Sequence, residues 1–149
     1  MIAVDFQTDI AVITRIVVAF LLGGLIGLER ERHGISAGIR TYGAICLGAC
    51  VFGIVGLSIT GADPSRVAAQ VVTGIGFLGG GLIFRQGDNY ISGLTTAATL
   101  WATAAVGLAV ALGMYMISFL TSLLIFVLLF LPRLTWWKRI SKKAAAKEI

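Results

Sequence analysis

The chain has 149 residues, of which 58% are hydrophobic and only 13% charged, where a soluble domain carries about a quarter charged residues. That much apolar surface excludes an ordinary water-soluble globule and makes lipid the natural solvent. The 12 Lys and Arg outnumber the 7 Asp and Glu. They gather in short loops and in the C-terminal tail, which is a topology signal rather than a nucleic-acid footprint, so no nucleic-acid partner is expected.

A spanning helix needs roughly 20 mainly apolar residues, and five segments meet that need. In chain order they cover about residues 10–28, 41–60, 67–84, 94–112 and 115–131, the last closed by Pro132. The expected fold is thus an all-α integral membrane protein, a five-helix transmembrane bundle. Residues 1–134 form the transmembrane domain and 135–149 a basic tail. The first apolar run follows acidic residues and has no A-x-A site after it, so it does not read as a cleaved signal.

Five spans place the termini on opposite sides. Arg30, Arg32, Arg40 and Arg85 share one side with the tail's Arg133, Lys138, Arg139, Lys142, Lys143 and Lys147, while Arg15 and Arg66 fall on the other. The positive-inside rule then puts the N-terminus outside and the C-terminus in the cytoplasm. Trp136 and Trp137 sit where an aromatic belt belongs, and the tail beyond them is either a contact with anionic headgroups or a plain stop-transfer signal.

Between helices in lipid there is no hydrophobic drive, so association depends on close packing of small residues. Gly23 and Gly27 form one G-x-x-x-G pair and Gly76 and Gly80 another; Ala49–Gly53 and Ala98–Ala102 repeat the spacing. Gly74, Gly79 and Gly81 leave the third segment almost bare, which predicts it at the centre of the bundle, with Gly80→Leu unseating it. The fifth segment is bulky all round and is expected to face lipid. Cys46 and Cys50, four apart on one helix, read as small packing residues, because successive turns hold the Cβ atoms too far apart for a relaxed bridge.

Ionisable groups at membrane depth are candidates for function. Nearly all lie at one level, the cytoplasmic mouth: Glu29, Arg30 and Glu31 end the first segment, Arg40 opens the second, and Arg85 and Asp88 follow the third. Alternating signs predict pairing, Glu29 or Glu31 with Arg85 and Asp88 with Arg40; the alternative is a set of ordinary interfacial charges. Inside the spans, Gln70 and Thr73 lie on the third segment. Ser92, Thr96, Thr99 and Thr103 make a stripe on the fourth. Such groups either bond helix carbonyls or line a solute path. No nucleophile–base pair, Walker lysine or metal-ligand cluster is present, so neither catalysis, a cofactor nor a bound metal is expected.

The two halves share a pattern. Gly23-Gly24-Leu25-Ile26 matches Gly80-Gly81-Leu82-Ile83, and Ile35-Ser36-Ala37-Gly38 resembles Ile91-Ser92-Gly93. This is either a parallel internal repeat of helix pairs 1–2 and 3–4 or chance matching of glycine-rich helices.

The stretch Gly24-Leu25-Ile26-Gly27-Leu28-Glu29-Arg30-Glu31, followed by Ala37-Gly38-Ile39-Arg40-Thr41, resembles the first signature of the MgtC/SapB family. Thr73-Gly74-Ile75-Gly76-Phe77-Leu78-Gly79-Gly80-Gly81, followed by Gly93-Leu94-Thr95-Thr96-Ala97-Ala98-Thr99-Leu100-Trp101, resembles its second. The resemblance implies a non-enzymatic protein of the bacterial inner membrane, active in adaptation to low magnesium and in virulence. Its implied mode is helix contact with itself, as a homodimer or other homo-oligomer, or with another membrane protein such as the F-type ATP synthase. The alternative is a small magnesium or ion transporter or channel working as an oligomer. MgtC-like members carry a further soluble ACT-like domain; this sequence resembles the membrane domain alone, and any role of the soluble domain does not carry over.

Topology can be checked directly. Reporter fusions at Ala146 and near Ala62 should give cytoplasmic and external signals respectively, and equal signals at both would mean a miscounted span.

Overall fold

The computed structural model describes residues 6–59, 63–86 and 90–133. They form five α-helices: α1 (Phe6–Glu31), α2 (Ile39–Ser58), α3 (Pro64–Leu82), α4 (Leu94–Ala111) and α5 (Tyr115–Phe130), with a short 3-10 turn at Leu131–Arg133. Between α3 and α4 the chain makes a small antiparallel hairpin of β1 (Phe84–Gln86) and β2 (Tyr90–Ser92), with Arg85 opposite Ile91. The hairpin is absent from the sequence-based reading; three-residue strands are too short to show a period. The 135–149 tail lies outside the described residues.

Local chemistry sets the helix boundaries. Asp63 caps α3 by accepting from the Ser65 N–H at 2.9 Å, with Pro64 at the first helical position. Hydrogen bonding by Ser65, its side chain first and this N–H second, holds the exposed Asp63 carboxyl below its ordinary pKa. At the far end of α4, Gly113 takes φ 74°. Its N–H bonds Val110 O at 2.9 Å and the Met114 N–H bonds Ala109 O at 2.9 Å, a Schellman closure that turns the chain straight into α5. Gly93 opens α4 at φ 90°, where an added Cβ would strike the Leu82 carbonyl oxygen, so no side chain fits.

Contacts between named residues fix the helix directions. Gly23 and Gly27 of α1 face Cys46 and Ile39 of α2, so α1 and α2 are antiparallel. Tyr42 meets Thr99 and Gly53 meets Ala111, so α2 and α4 run parallel. Gly56 meets Val67 at one end of α3 and Gly79 meets Ala97 at the other, so α3 runs back between them. The five helices therefore alternate. All but α3 are both long and apolar enough to cross a membrane by composition. The glycines, Arg66 and Gln70 dilute α3, but its 19 residues rise about 28 Å, close to the roughly 30 Å of a hydrocarbon core.

The core lies where α1, α2 and α4 meet. Fully buried there are Ala19, Ile26, Tyr42, Cys46, Cys50, Val106 and Val110. A Cβ on Gly23 would stand 2.5 Å from the Cys46 Cβ and 2.6 Å from Tyr42 O; one on Gly107 would strike Cys46 O. Both are closer than atoms can approach, so each glycine is what lets its helix touch α2. Helix α5 packs only one stripe inward, Ser118, Ser122, Ile125 and Leu129, and exposes Met116, Phe119, Leu120, Leu123, Leu124 and Leu128.

The expectation that α3 is central is corrected. It sits at the edge, touching α2 and α4, with Phe77 84% exposed. A Cβ at Gly74, Gly76, Gly80 or Gly81 would meet nothing within 4 Å. The central place belongs to α4, half of whose spanning window is buried. Small residues allow close approach but do not say which neighbour approaches, and the Gly76–Gly80 pair faces outward. Ala98 of the Ala98–Ala102 pair is likewise exposed.

Two glycines should therefore respond oppositely to the same substitution. Gly23→Leu should lower thermal stability in detergent by an amount equivalent to about 1–3 kcal/mol or more through overpacking. Gly80→Leu, with open space to enter, should leave the unfolding temperature close to wild type.

Candidate functional site

Successive residues of a helix point about 100° apart. The last turn of α1 carries Glu29, Arg30 and Glu31 in sequence, and each reaches a different element. Glu29, its side chain 11% exposed, accepts from the Arg133 guanidinium beyond α5. The Glu29 backbone carbonyl pairs with His33 Nδ1 at 2.6 Å, and the same ring nitrogen lies 3.5 Å from the carboxylate. Arg30 turns inward and donates to Thr96 Oγ1 of α4 at 3.2 Å. Glu31 folds over Gly38 and accepts from the Ile39 N–H at 2.9 Å. Gly38 at the N-cap of α2 has no side chain to do this, so Glu31 caps α2 from the preceding helix. A carboxylate there also faces the positive end of the helix dipole.

Behind Arg30 lies a buried hydroxyl pair. Tyr42 is fully buried, and its hydroxyl is 2.6 Å from Thr99 Oγ1. Thr99 also donates to the carbonyls of Thr95 or Thr96, and Thr103 to that of Thr99 at 2.8 Å. The α4 threonines thus bond their own helix and the α1–α2 side. Gln70 and Thr73 stand apart from them. Both are exposed on α3, where Thr73 donates to Ala69 O at 3.0 Å and Gln70 borders the cleft between α2 and α3. Gln70 and Thr73 on α3 and Thr96, Thr99 and Thr103 on α4 thus stand as two separate groups.

Of the six charged residues, Glu29, Arg30 and Glu31 come together on α1, while Arg40 lies exposed on α2 in a polar hollow shared with Glu31, Ser36 and Thr41. Among the described residues the Glu29 carboxylate pairs with Arg133. Asp88, and with it the Asp88–Arg40 pair, lies outside the described residues, as does the side chain of Arg85. Among the packing glycines, Gly23 and Gly27 lie at the α1–α2 crossing and Gly76 and Gly80 at the open face of α3.

Three contributors escaped the sequence reading. Arg133 was counted only as tail charge, although an arginine one turn past a span is within reach of acids at the same level. Tyr42 needed only the rule that a buried phenol finds a partner. Arg15, at the opposite end of α1, donates from Nη1 to Ala111 O at 2.8 Å, a carbonyl at the C-terminus of α4 where a cation is favoured. The signal was an arginine inside an apolar span with no acid nearby. Among the described residues there is no cluster of His, Cys, Asp and Glu suited to a metal.

The family model described as the MgtC family matches residues 16–136, and the chain belongs to that family. Protein MgtC of Brucella abortus (strain 2308) is 54% identical over 90 residues, covering 60% of this chain and 37% of that protein. YhiD of Escherichia coli K12, whose name marks it as a proposed magnesium transporter, is 46% identical over 112 residues, 69% of this chain and 52% of its own length. Protein MgtC of Salmonella typhimurium (strain LT2) is 46% identical over 103 residues, 69% of this chain and 44% of its length. The chain thus spans roughly half or less of these relatives. No solved structure matches.

The Glu29–Arg133 contact gives a double-mutant test. Removing either partner alone strands the other at low dielectric, which is worse than removing both. Glu29→Gln and Arg133→Gln should each lower stability in detergent, and the double variant should recover part of the loss, with a coupling of about 0.5–3 kcal/mol. Strict additivity would reduce the pair to separate interfacial charges.

Proposed function

We propose that this MgtC-family membrane protein is not an enzyme and acts by helix contact, with itself or with another membrane protein, in adaptation to low magnesium and in virulence. The observation that carries the reading is the outer face of α3. Ala69, Thr73, Gly76 and Gly80 follow a 4-3-4 spacing, so they share one stripe. All four are exposed, and the two glycines have nothing within 4 Å. The other exposed faces are bulky: Ile13, Val17, Phe20 and Leu21 on α1, and the Phe and Leu side chains of α5. Bulky faces suit lipid tails, whereas a bare face gains most from a second helix that can approach closely. The F-type ATP synthase is the partner implied by the family resemblance; a homo-oligomer is the other occupant of the same kind. The protein is read as lying in the inner membrane, N-terminus outside and C-terminus cytoplasmic, from the arginine distribution. The charged end of the bundle, with Glu29, Arg30, Glu31, Arg40, Arg85 and Asp88, then faces the cytoplasm.

The name of the E. coli relative favours a second reading, a magnesium transporter working as an oligomer. Gln70 and Thr73, polar and exposed on α3, would then line a path between copies.

Gly76→Leu separates these readings from a merely structural role. The variant should fold and accumulate normally, yet lose growth at low magnesium in a strain lacking the native protein, and lose co-purification of its membrane partner. Saturable magnesium flux in vesicles holding only the purified protein would favour the transporter. Full growth with Gly76→Leu would remove the α3 face from the function.

A further inference from the structure

Helices α2 and α3 do not stay together along their length. At the end away from Glu29 they are close: a Cβ on Gly56 would stand 3.0 Å from the Val67 Cβ. Toward the Glu29 end α3 leans on α4 instead, with Gly79 facing Ala97 at 3.6 Å, while Gly48 of α2 and Gly74 of α3 meet nothing within 4 Å. The divergence leaves an apolar groove of about 500 Å³, bordered by Ala44, Gly48, Phe52, Gly74 and Leu78. A second apolar hollow of about 560 Å³ continues it toward the charged end, sharing Ile45 and Leu78 and ending at Thr41. Thr41 also borders the polar hollow of about 550 Å³ that holds Arg40, Ser36 and Glu31. Shared lining residues set the three side by side, as a track polar at its mouth and apolar along its depth. Each part falls within the ~300–1,000 Å³ typical of ligand sites.

We propose that this track holds one anionic glycerophospholipid, an acyl chain along the α2–α3 groove and the phosphate at Arg40. The order of polarity along the track is that of a single lipid, headgroup then hydrocarbon, and it runs in the direction a lipid of that leaflet would lie. Arg40 borders the mouth and is exposed. The one carboxylate in the hollow, Glu31, is held by the Ile39 N–H at the positive end of α2, which offsets part of its charge, and leaves Arg40 as the basic side chain that borders the hollow. An anionic surface is favoured by each basic side chain placed against it. A partner helix would seat on the bare outer stripe of α3 and gain nothing from an ionic mouth. Gly74 and Gly76 lie about 200° apart around α3, so the α2–α3 groove and the Gly76 part of the contact stripe face apart, while Gly80 at the end of that stripe borders the second hollow.

The test is native mass spectrometry of the delipidated protein in detergent, titrated with dioleoyl phosphatidylglycerol or with dioleoyl phosphatidylcholine, which has the same chains and no net charge. Wild type should retain one phosphatidylglycerol in preference to phosphatidylcholine. Arg40→Gln should cut that preference roughly fivefold, the worth of one basic side chain near an anionic surface. Gly74→Leu and Gly48→Leu place a side chain at the groove from positions where an added Cβ meets nothing within 4 Å, and should abolish retention of both lipids, with circular dichroism confirming the fold; either variant alone suffices. Equal retention of the two lipids by wild type, an unchanged preference in Arg40→Gln, or full retention in a folded groove variant would overturn the assignment. None of these outcomes bears on the Gly76 stripe.

Discussion

The bundle depends on how closely α1 and α4 approach α2 at the level of Cys46. Gly23 presses on it from one side and Gly107 from the other, and neither position has room for a single added carbon. In lipid this matters more than in water. The hydrophobic effect does not favour one helix arrangement over another, so dispersion and backbone proximity must do so. With α2 clamped between its neighbours, Tyr42 is brought to Thr99 and the last turn of α1 to the start of α4. The polar contacts at the charged end follow from an apolar contact near mid-helix.

Helix α1 is fastened to α4 at two levels by arginines that use neutral acceptors. Arg15 takes the Ala111 carbonyl and Arg30 the Thr96 hydroxyl. The two stand fifteen residues apart, about 22 Å of helix rise, most of a hydrocarbon core. A guanidinium can donate to carbonyls and hydroxyls as well as to carboxylates, and here each makes one such bond while its Nε stays buried without a partner among the described residues. Placed at the C-terminal end of α4, Arg15 also gains from the dipole of the helix it touches.

Helix number, order and approximate limits were legible because a spanning segment declares itself by length and apolarity. The outward bulk of α5 was legible for a similar local reason. The place of α3 was not. Its glycines have the same spacing as those of α1, and spacing alone does not distinguish a helix already packed from one left uncovered. The useful contrast was between faces: Gly107 falls in a Thr103–Gly107–Ala111 run on a helix buried on several sides, whereas Ala69–Thr73–Gly76–Gly80 sits on the most dilute helix of the five. At the charged end, sequence located the level of Glu29, Arg30, Glu31 and Arg40 but not their partners. Pairing by alternating sign ignores the angle at which each side chain leaves the helix, and that angle sends Glu31 to a backbone N–H and Arg30 to a hydroxyl.

The three contacts at the end of α1 have a further mechanical meaning. A smooth apolar helix in a bilayer can rotate about its own axis at little cost, since one lipid-facing residue is much like the next. Glu29, Arg30 and Glu31 remove that freedom, because turning α1 by one residue in either direction would present a base where an acid is held, or the reverse. The triplet therefore acts as an angular index for the helix. Loss of the Arg133 contact or of the cap on α2 would remove one of the three settings that fix the angle of α1 about its axis.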